Sequence, residues 1–182
     1  MKHVSVGPNG ELWGVNSADD IYYKRNESTD WQRLDGKLKQ IEIGNGGHVV
    51  GVNASDDIFV REGITPDTPT GKSWRHLDGK LKYISVGFDG RLWGVNSANM
   101  IYYRSGVNGP WVQIDGALTQ LSVAHTGEVW GVNAQDQIFV RKNVTPDNPR
   151  GDGWELVDGL LKHVHANNNG IYGVNRGNQI YY

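Results

Sequence analysis

The tripeptide Gly-Val-Asn occurs five times, at residues 14–16, 51–53, 94–96, 131–133 and 173–175, with spacings of 37, 43, 37 and 42 residues. A recurring period of this length is the signature of a repeat architecture, in which each unit must lean on its neighbours to bury an apolar face. Every copy is followed by a strand-like triplet: Ile21-Tyr22-Tyr23, Ile58-Phe59-Val60, Ile101-Tyr102-Tyr103, Ile138-Phe139-Val140 and Ile180-Tyr181-Tyr182. Copies two to five are preceded by a Trp with Asp-Gly four residues later, at Trp31, Trp74, Trp111 and Trp154, and the first copy lacks this segment. Sliding residues 1–80 onto 81–160 aligns all these landmarks without a gap, so the larger repeat is a pair of units and the third pair is cut short.

Each unit reads as four short strands, Trp-x-x-x-Asp, Leu-Lys-x-Ile-x-Val, x-Trp-Gly-Val-Asn and Ile-Tyr-Tyr-Arg, separated by Gly- or Asx-containing turns. Four antiparallel strands in roughly 40 residues cannot cover both of their faces alone, and the closed way to stack them is a β-propeller. The fold class is therefore all-β, with one propeller domain over residues 1–182 and repeat units near 1–30, 31–73, 74–110, 111–153 and 154–182. A parallel β-helix and a sandwich are the alternatives. Three strands from each of five units plus four Trp-Asp strands give 19, so one of the five four-stranded blades is a strand short. Either the ring tolerates a three-stranded blade, or the chain is a portion of a six-bladed propeller that completes itself by self-association through the unpaired edge.

Composition narrows the partners. Lys and Arg total 18 against 20 Asp and Glu, a net charge of −2 that lacks the basic excess needed at a phosphate backbone, so nucleic acid is set aside. No apolar run approaches 18 residues and the first residues lead into polar sequence, so neither a membrane span nor a signal peptide is expected. With no cysteine there is no disulfide, thiolate metal site or Cys nucleophile, and the redox compartment is not legible.

Among the repeated residues, scaffold and site readings compete. A Trp at a fixed phase once per unit packs between blades, Asp-Gly is turn chemistry, and the five repeat Asn residues start Asx-turn hairpins closed by Asp19, Asp56, Asn99, Asp136 and Asn178. Positions where units disagree carry more functional information, because scaffold demand is weaker there. The residue before Gly-Val-Asn is Trp13, Val50, Trp93, Trp130 or Tyr172, mostly a flat aromatic of the kind that stacks on the apolar face of a pyranose, with core packing as the competing reading. The position before the Ile triplet is Asp20, Asp57, Met100, Gln137 or Gln179, four of which can bond a sugar hydroxyl, against the plainer reading of a solvated turn.

Catalysis is not expected. The adjacent carboxylates Asp19-Asp20 and Asp56-Asp57 sit at equivalent repeat positions and point apart on a turn, whereas a reaction needs one asymmetric constellation. Their oxygens leave calcium as the only cofactor worth naming, and otherwise none is expected. Of six His residues only His163 and His165 share a strand face, too few ligands for a metal site. Sequons stand at Asn26, Asn53 and Asn143, of which Asn53 belongs to the repeat.

The segments Trp111-Val112-Gln113-Ile114-Asp115-Gly116, Leu81-Lys82-Tyr83-Ile84-Ser85-Val86-Gly87, Leu92-Trp93-Gly94-Val95-Asn96 and Ile101-Tyr102-Tyr103-Arg104 resemble the tectonin repeat. So do the connectors Thr65-Pro66-Asp67-Thr68-Pro69-Thr70-Gly71 and Thr145-Pro146-Asp147-Asn148-Pro149-Arg150-Gly151. The resemblance covers the whole chain and is to lectins of the fish-egg lectin and tachylectin-1 type. It implies a non-catalytic, multivalent carbohydrate-binding propeller of innate immunity, with microbial glycans or lipopolysaccharide bearing N-acetylated or O-methylated sugars as partners. It also implies secretion. The expected ligand-binding residues are Trp13, Asp20, Asp57, Trp93, Trp130, Gln137, Tyr172 and Gln179. A protein-interaction scaffold is the alternative function.

Overall fold

A computed structural model describes residues 1–44, 46–87, 89–124, 126–167 and 169–182. The regular elements of these residues are nineteen strands in five antiparallel sheets, arranged as the blades of a β-propeller. Blade 1 comprises β1 (His3–Val6), β2 (Leu12–Val15), β3 (Asp20–Lys24) and β4 (Gln32–Lys37), and blade 2 comprises β5 (Gln40–Ile43), β6 (Val49–Val52), β7 (Asp57–Glu62) and β8 (Ser73–Lys80). Blade 3 is built from β9 (Tyr83–Val86), β10 (Leu92–Val95), β11 (Met100–Arg104) and β12 (Trp111–Ala117). Blade 4 follows with β13 (Gln120–Val123), β14 (Val129–Val132), β15 (Gln137–Arg141) and β16 (Trp154–Leu160). Blade 5 has three strands, β17 (His163–Asn167), β18 (Gly170–Val174) and β19 (Ile180–Tyr181), which is the short blade the strand count requires. The Trp-opened strand turns back onto the strand before it, β4 pairing with β3, so blades are out of phase with the repeat units by one strand. Among the described residues no helix is long and apolar enough to cross a membrane.

Each hairpin turn between the second and third strands follows the Asx rule. Asn16 Oδ1 accepts from Ala18 N and Asp20 N, both at 2.9 Å, and Asp19 takes a φ of 64°, where Asp and Asn tolerate the left-handed region better than other side chains. The Asp-Gly pairs are not turns. In blade 1 Asp20 pairs with Lys37 while the next residue, Ile21, pairs with Leu34, so Asp35 and Gly36 bulge out of β4, with Gly36 at a φ of 93°. The glycine of Gly-Val-Asn answers to packing instead. A Cβ on Gly94 would stand 2.4 Å from Leu81 Cδ1, and Gly51, Gly131 and Gly173 are equally tight against Leu38, Leu118 and Leu161.

The core lies between blades rather than within one. Trp13, Val15, Ile21 and Tyr23 of blade 1 pack on Leu38, Ile41, Ile43 and Val49 of blade 2, and the next two junctions repeat this arrangement, with Val50 and Val60 in place of the Trp and Tyr at the junction of blades 2 and 3. Inner strands of neighbouring blades are not hydrogen-bonded as a ladder, and side chains take over. Gln40 donates to Ile84 O at 2.9 Å and accepts from Ile84 N at 3.2 Å, and Gln120 does the same to Val164 at 2.8 and 3.0 Å. Ser5, Ser85 and Ser122 accept from Ile43, Val123 and Ala166 N of the next blade at 3.0–3.1 Å. These polar pins satisfy buried backbone groups that would otherwise be orphaned.

Between blades 5 and 1 lies a seam at which, unlike at the other four junctions, inner strands of the two blades do not pack on each other. Val4 and Val6 are 41% and 60% exposed, whereas their counterparts Ile41 and Ile43 are buried against the preceding blade. On the other side of the seam Ile180 and Tyr182 are exposed, although Ile21 and Tyr23 at the same repeat positions are core.

Candidate functional site

Strand order places the first and third turns of each blade on one rim of the ring, and the Asx turns on the opposite rim. The first rim carries two long connectors, residues 63–72 and 142–153, in alternate blades. Each is stiffened by its own hydrogen bonds: Thr65 and Thr68 exchange backbone bonds at 3.2 and 3.0 Å, and Asn148 N donates to Thr145 Oγ1 at 3.0 Å. Each is also tied to the sheet by an arginine. Arg61 Nε donates to Thr70 O at 2.7 Å and Arg141 Nε to Arg150 O at 2.8 Å.

The same arginines belong to a clamp repeated at three junctions. Arg61 reaches Asp35 of the preceding blade at 2.8 Å and lies over the Trp74 ring at 5.2 Å, while Trp74 Nε1 donates to Asp35 O at 3.0 Å. Arg104–Asp78–Trp111 and Arg141–Asp115–Trp154 reproduce it. Trp74, Trp111 and Trp154 are therefore structural, as their fixed phase implies, while Trp31 lies outside the clamp beneath Lys24, and Asp35, Asp78 and Asp115 serve the next blade rather than their own turns. Asp158 accepts from Gly159 N at 3.0 Å.

Overhang of the long connectors creates two clefts on the first rim. Between blades 1 and 2 lies a cavity of about 540 Å³ with Trp13, Tyr23, Ile43, Ile64, Pro66 and Pro69 as apolar walls and Asn9, Glu11, Arg25 and Thr65 as polar lip. Between blades 3 and 4 the equivalent cleft holds Asp89, Arg91, Val144, Thr145 and Pro146 and is only about 100 Å³. Burial raises the pKa of the Tyr23 and Tyr103 phenols, keeping them neutral hydrogen-bonding groups. The opposite rim has apolar grooves at Gly36–Leu38 and Gly79–Leu81, walled by the indoles already engaged in the clamp.

The residues expected from sequence do not converge on one cleft. Trp13 and Trp93 are 0% and 1% exposed, their rings packed edge-on against Tyr23 and Tyr103 at 5.4 and 5.3 Å. Neither ring presents an open face for stacking, because the middle strand of a blade is covered on both sides, although Trp13 forms part of the cleft wall. Trp130 is half-buried with its indole N–H unpartnered, and Tyr172 stacks on Tyr182 at the seam, 4.9 Å between centroids. Asp20, Asp57, Gln137 and Gln179 share another task on the opposite rim, accepting from the Nδ2 of Asn16, Asn53, Asn133 and Asn175 at 3.2, 3.1, 2.8 and 2.9 Å. Hydrogen bonds from Lys37 and Arg33 hold the Asp20 carboxyl far below its usual range, and Lys80 lowers Asp57. Asp19 and Asp56 pair with Lys2 and Lys39, so the carboxylates expected as calcium ligands each face a cation of their own. Among the described residues no group of three His, Cys, Asp or Glu could hold a metal ion.

Sequence reasoning missed the channel. The first and third positions of the inner strands read His3, Gln40, Tyr83, Gln120, His163 and Ser5, Glu42, Ser85, Ser122, His165. That variation between units was the available signal. Tyr83 Oη lies 3.4 Å from His3 Nε2 and 3.3 Å from His163 Nε2, spanning the channel between blades 1 and 5. Burial pushes the Glu42 carboxyl up to about 7 and the His3 imidazole down to about 4, and lowers His163 and His165.

Solved structures that it resembles include the following propeller proteins, each of low identity. YCF48 bound to D1 peptide is 18% identical with a TM-score of 0.53, covering 86% of this chain and 52% of its own. YCF48 from Cyanidioschyzon merolae is 13% identical (TM-score 0.62, 97% of this chain, 66% of its own), and human WBSCR16 is 11% identical (0.63, 98%, 60%). The chain thus spans less than two thirds of each, and the likeness is one of fold. None of the curated proteins matches it. The family model of the Tectonin domain matches residues 1–109 and 103–182, which together take in every blade and clamp described above, and the chain belongs to the tectonin family.

Proposed function

We propose that this chain is a non-catalytic carbohydrate-binding lectin for glycans or lipopolysaccharide on microbial surfaces, with its sugar sites in the connector-roofed clefts of the first rim. The observation that carries the reading is the cleft between blades 1 and 2. Its volume of about 540 Å³ lies within the range of ligand sites, and its apolar walls with a few polar groups at the lip match the two faces of a hexose. Glu11, Arg25 and Thr65 are placed to take hydroxyls, while Pro66 and Ile64 face the apolar C–H edges. Repetition of the cleft around a rigid ring supplies multivalency, and avidity on a glycan-coated surface raises apparent affinity about 10²–10⁴-fold over a single site. Calorimetric titration with N-acetylglucosamine and with O-methylated hexoses tests it: saturable heat whose tighter component is lost in Arg25→Ala, with an unchanged melting curve, is the expected result. No heat with any sugar or with lipopolysaccharide would refute it.

A protein-interaction scaffold has one observation in its favour, the exposed Val4, Val6 and Ile180 at the seam beside the free edge of β19. Sugar-independent retention of a protein by the immobilised chain, lost in Val6→Lys, would favour that second reading.

A further inference from the structure

The two rim clefts are copies of one another at an offset of 80 residues, and their apolar walls are nearly the same: Ile64, Thr65 and Pro66 become Val144, Thr145 and Pro146. The lip is where they part. Glu11 of the first cleft turns back to accept from Asn9 N at 2.9 Å, leaving the mouth open, and the cation of this cleft, Arg25, lines its lip from the third turn. In the second cleft the position of Glu11 is Arg91 and the position of Arg25 is Ser105. Arg91 is anchored to Asp89 at 3.0 Å on its own turn, and its Nη2 reaches Pro146 O of the connector at 3.5 Å. A guanidinium thus crosses from blade 3 to the roof contributed by blade 4, and the cavity shrinks from about 540 to about 100 Å³.

We infer that Arg91 is a latch that makes the two sugar clefts unequal, the first standing open and the second admitting a neutral hexose only when the guanidinium is displaced from the Pro146 carbonyl. The inference rests on the carbohydrate reading above. Displacement gives up one partly exposed ion pair and one hydrogen bond to a carbonyl, together about a three- to seventyfold penalty in the affinity of the second cleft. Arg91 is a positioning residue that acts on access and contributes no bond to the sugar.

Gly47 and Gly127 line one cleft each, and their backbone amides report the two sites separately by ¹H–¹⁵N NMR during titration with N-acetylglucosamine. In the wild type the Gly47 midpoint is expected at a concentration at least threefold below that of Gly127. Arg91→Ser should lower the Gly127 midpoint at least threefold, and Arg91→Ala, should the serine variant fold poorly, should do the same. Equal midpoints in the wild type, or a Gly127 midpoint unmoved by either variant, would overturn the latch and leave the lectin reading standing. Weaker binding at Gly127 in the variants would make Arg91 a sugar contact and overturn it too. Shifts at neither glycine in any protein would overturn the carbohydrate reading and the latch with it.

Discussion

The interblade clamp makes a quantitative demand on Arg61. Replacing it with Met keeps the aliphatic stem, whose side chain is only 4% exposed, and removes the guanidinium. Three contributions go together. The bond from Nε to Thr70 O, 2.7 Å, is a hydrogen bond from a charged donor, of a kind that stabilises by about 1.5–3 kcal/mol. The contact with Asp35 adds less, about 0.2–1 kcal/mol, because that carboxylate is 62% exposed and regains water when the arginine leaves. Stacking over Trp74 at 5.2 Å contributes about 0.5–2 kcal/mol. The three share one group and do not add in full, so the expected loss is about 2–4 kcal/mol. For a chain of this size that corresponds to a fall in Tm of about 4–16 °C. Thermal unfolding followed by circular dichroism reads the shift. A double-mutant cycle with Asp35→Ala isolates the ion pair, whose coupling should stay below about 1 kcal/mol. A fall of less than 2 °C in Arg61→Met, or a coupling that accounts for most of the loss, would show that the clamp does not work as described.

Three further outcomes follow from the geometry. Glu42, raised to about 7, binds a proton in the folded state that the unfolded chain releases near its ordinary value, so its contribution to stability falls as pH rises from about 4.5 to about 7. His3, lowered to about 4, acts in the opposite direction up to about 6.5; Glu42→Gln should therefore melt above the wild type at pH 8, and a lower melting point there would contradict the assignment. Gln120→Leu leaves Val164 N and O without partners, an expected loss of about 2–4 kcal/mol, read by urea unfolding and by faster hydrogen exchange at Val164. Gly94→Ala forces a methyl to within 2.4 Å of Leu81 and should cost about 1–3 kcal/mol, while Gly14→Ala, whose nearest neighbour is 3.2 Å away, should be far milder; equal effects would contradict the packing account.

Blade number, strand count, the short blade and the Asx turns were legible because each is a local consequence of a repeated residue. Asn at the turn start and Asp or Asn in the left-handed position need no tertiary context. The Asp-Gly bulge was misread as a turn since the same positive φ serves both, and only pairing distinguishes them. Trp13 and Trp93 suggested an open stacking face because the equivalent Val50 made the position look variable, yet a covered middle strand accepts any large apolar side chain. The clamp arginines depend on contacts between residues 26 to 39 apart in sequence, and the second rim cleft on one 55 apart, which no single unit displays. The channel residues vary from unit to unit, and that irregularity was visible without a partner to explain it.

The pins and clamps all point one way around the ring: Ser5, Gln40, Ser85 and Gln120 reach forward to the next blade, and Asp35, Asp78 and Asp115 await its arginine. The leading and trailing faces of a blade are therefore different surfaces. A two-fold axis sets a surface against its own copy, so no symmetric dimer can reuse this kind of contact. Molecules joining through Val4 and Val6 on one side and Ile180 on the other must do so head to tail, and such a contact either closes into a ring of chains or continues without end.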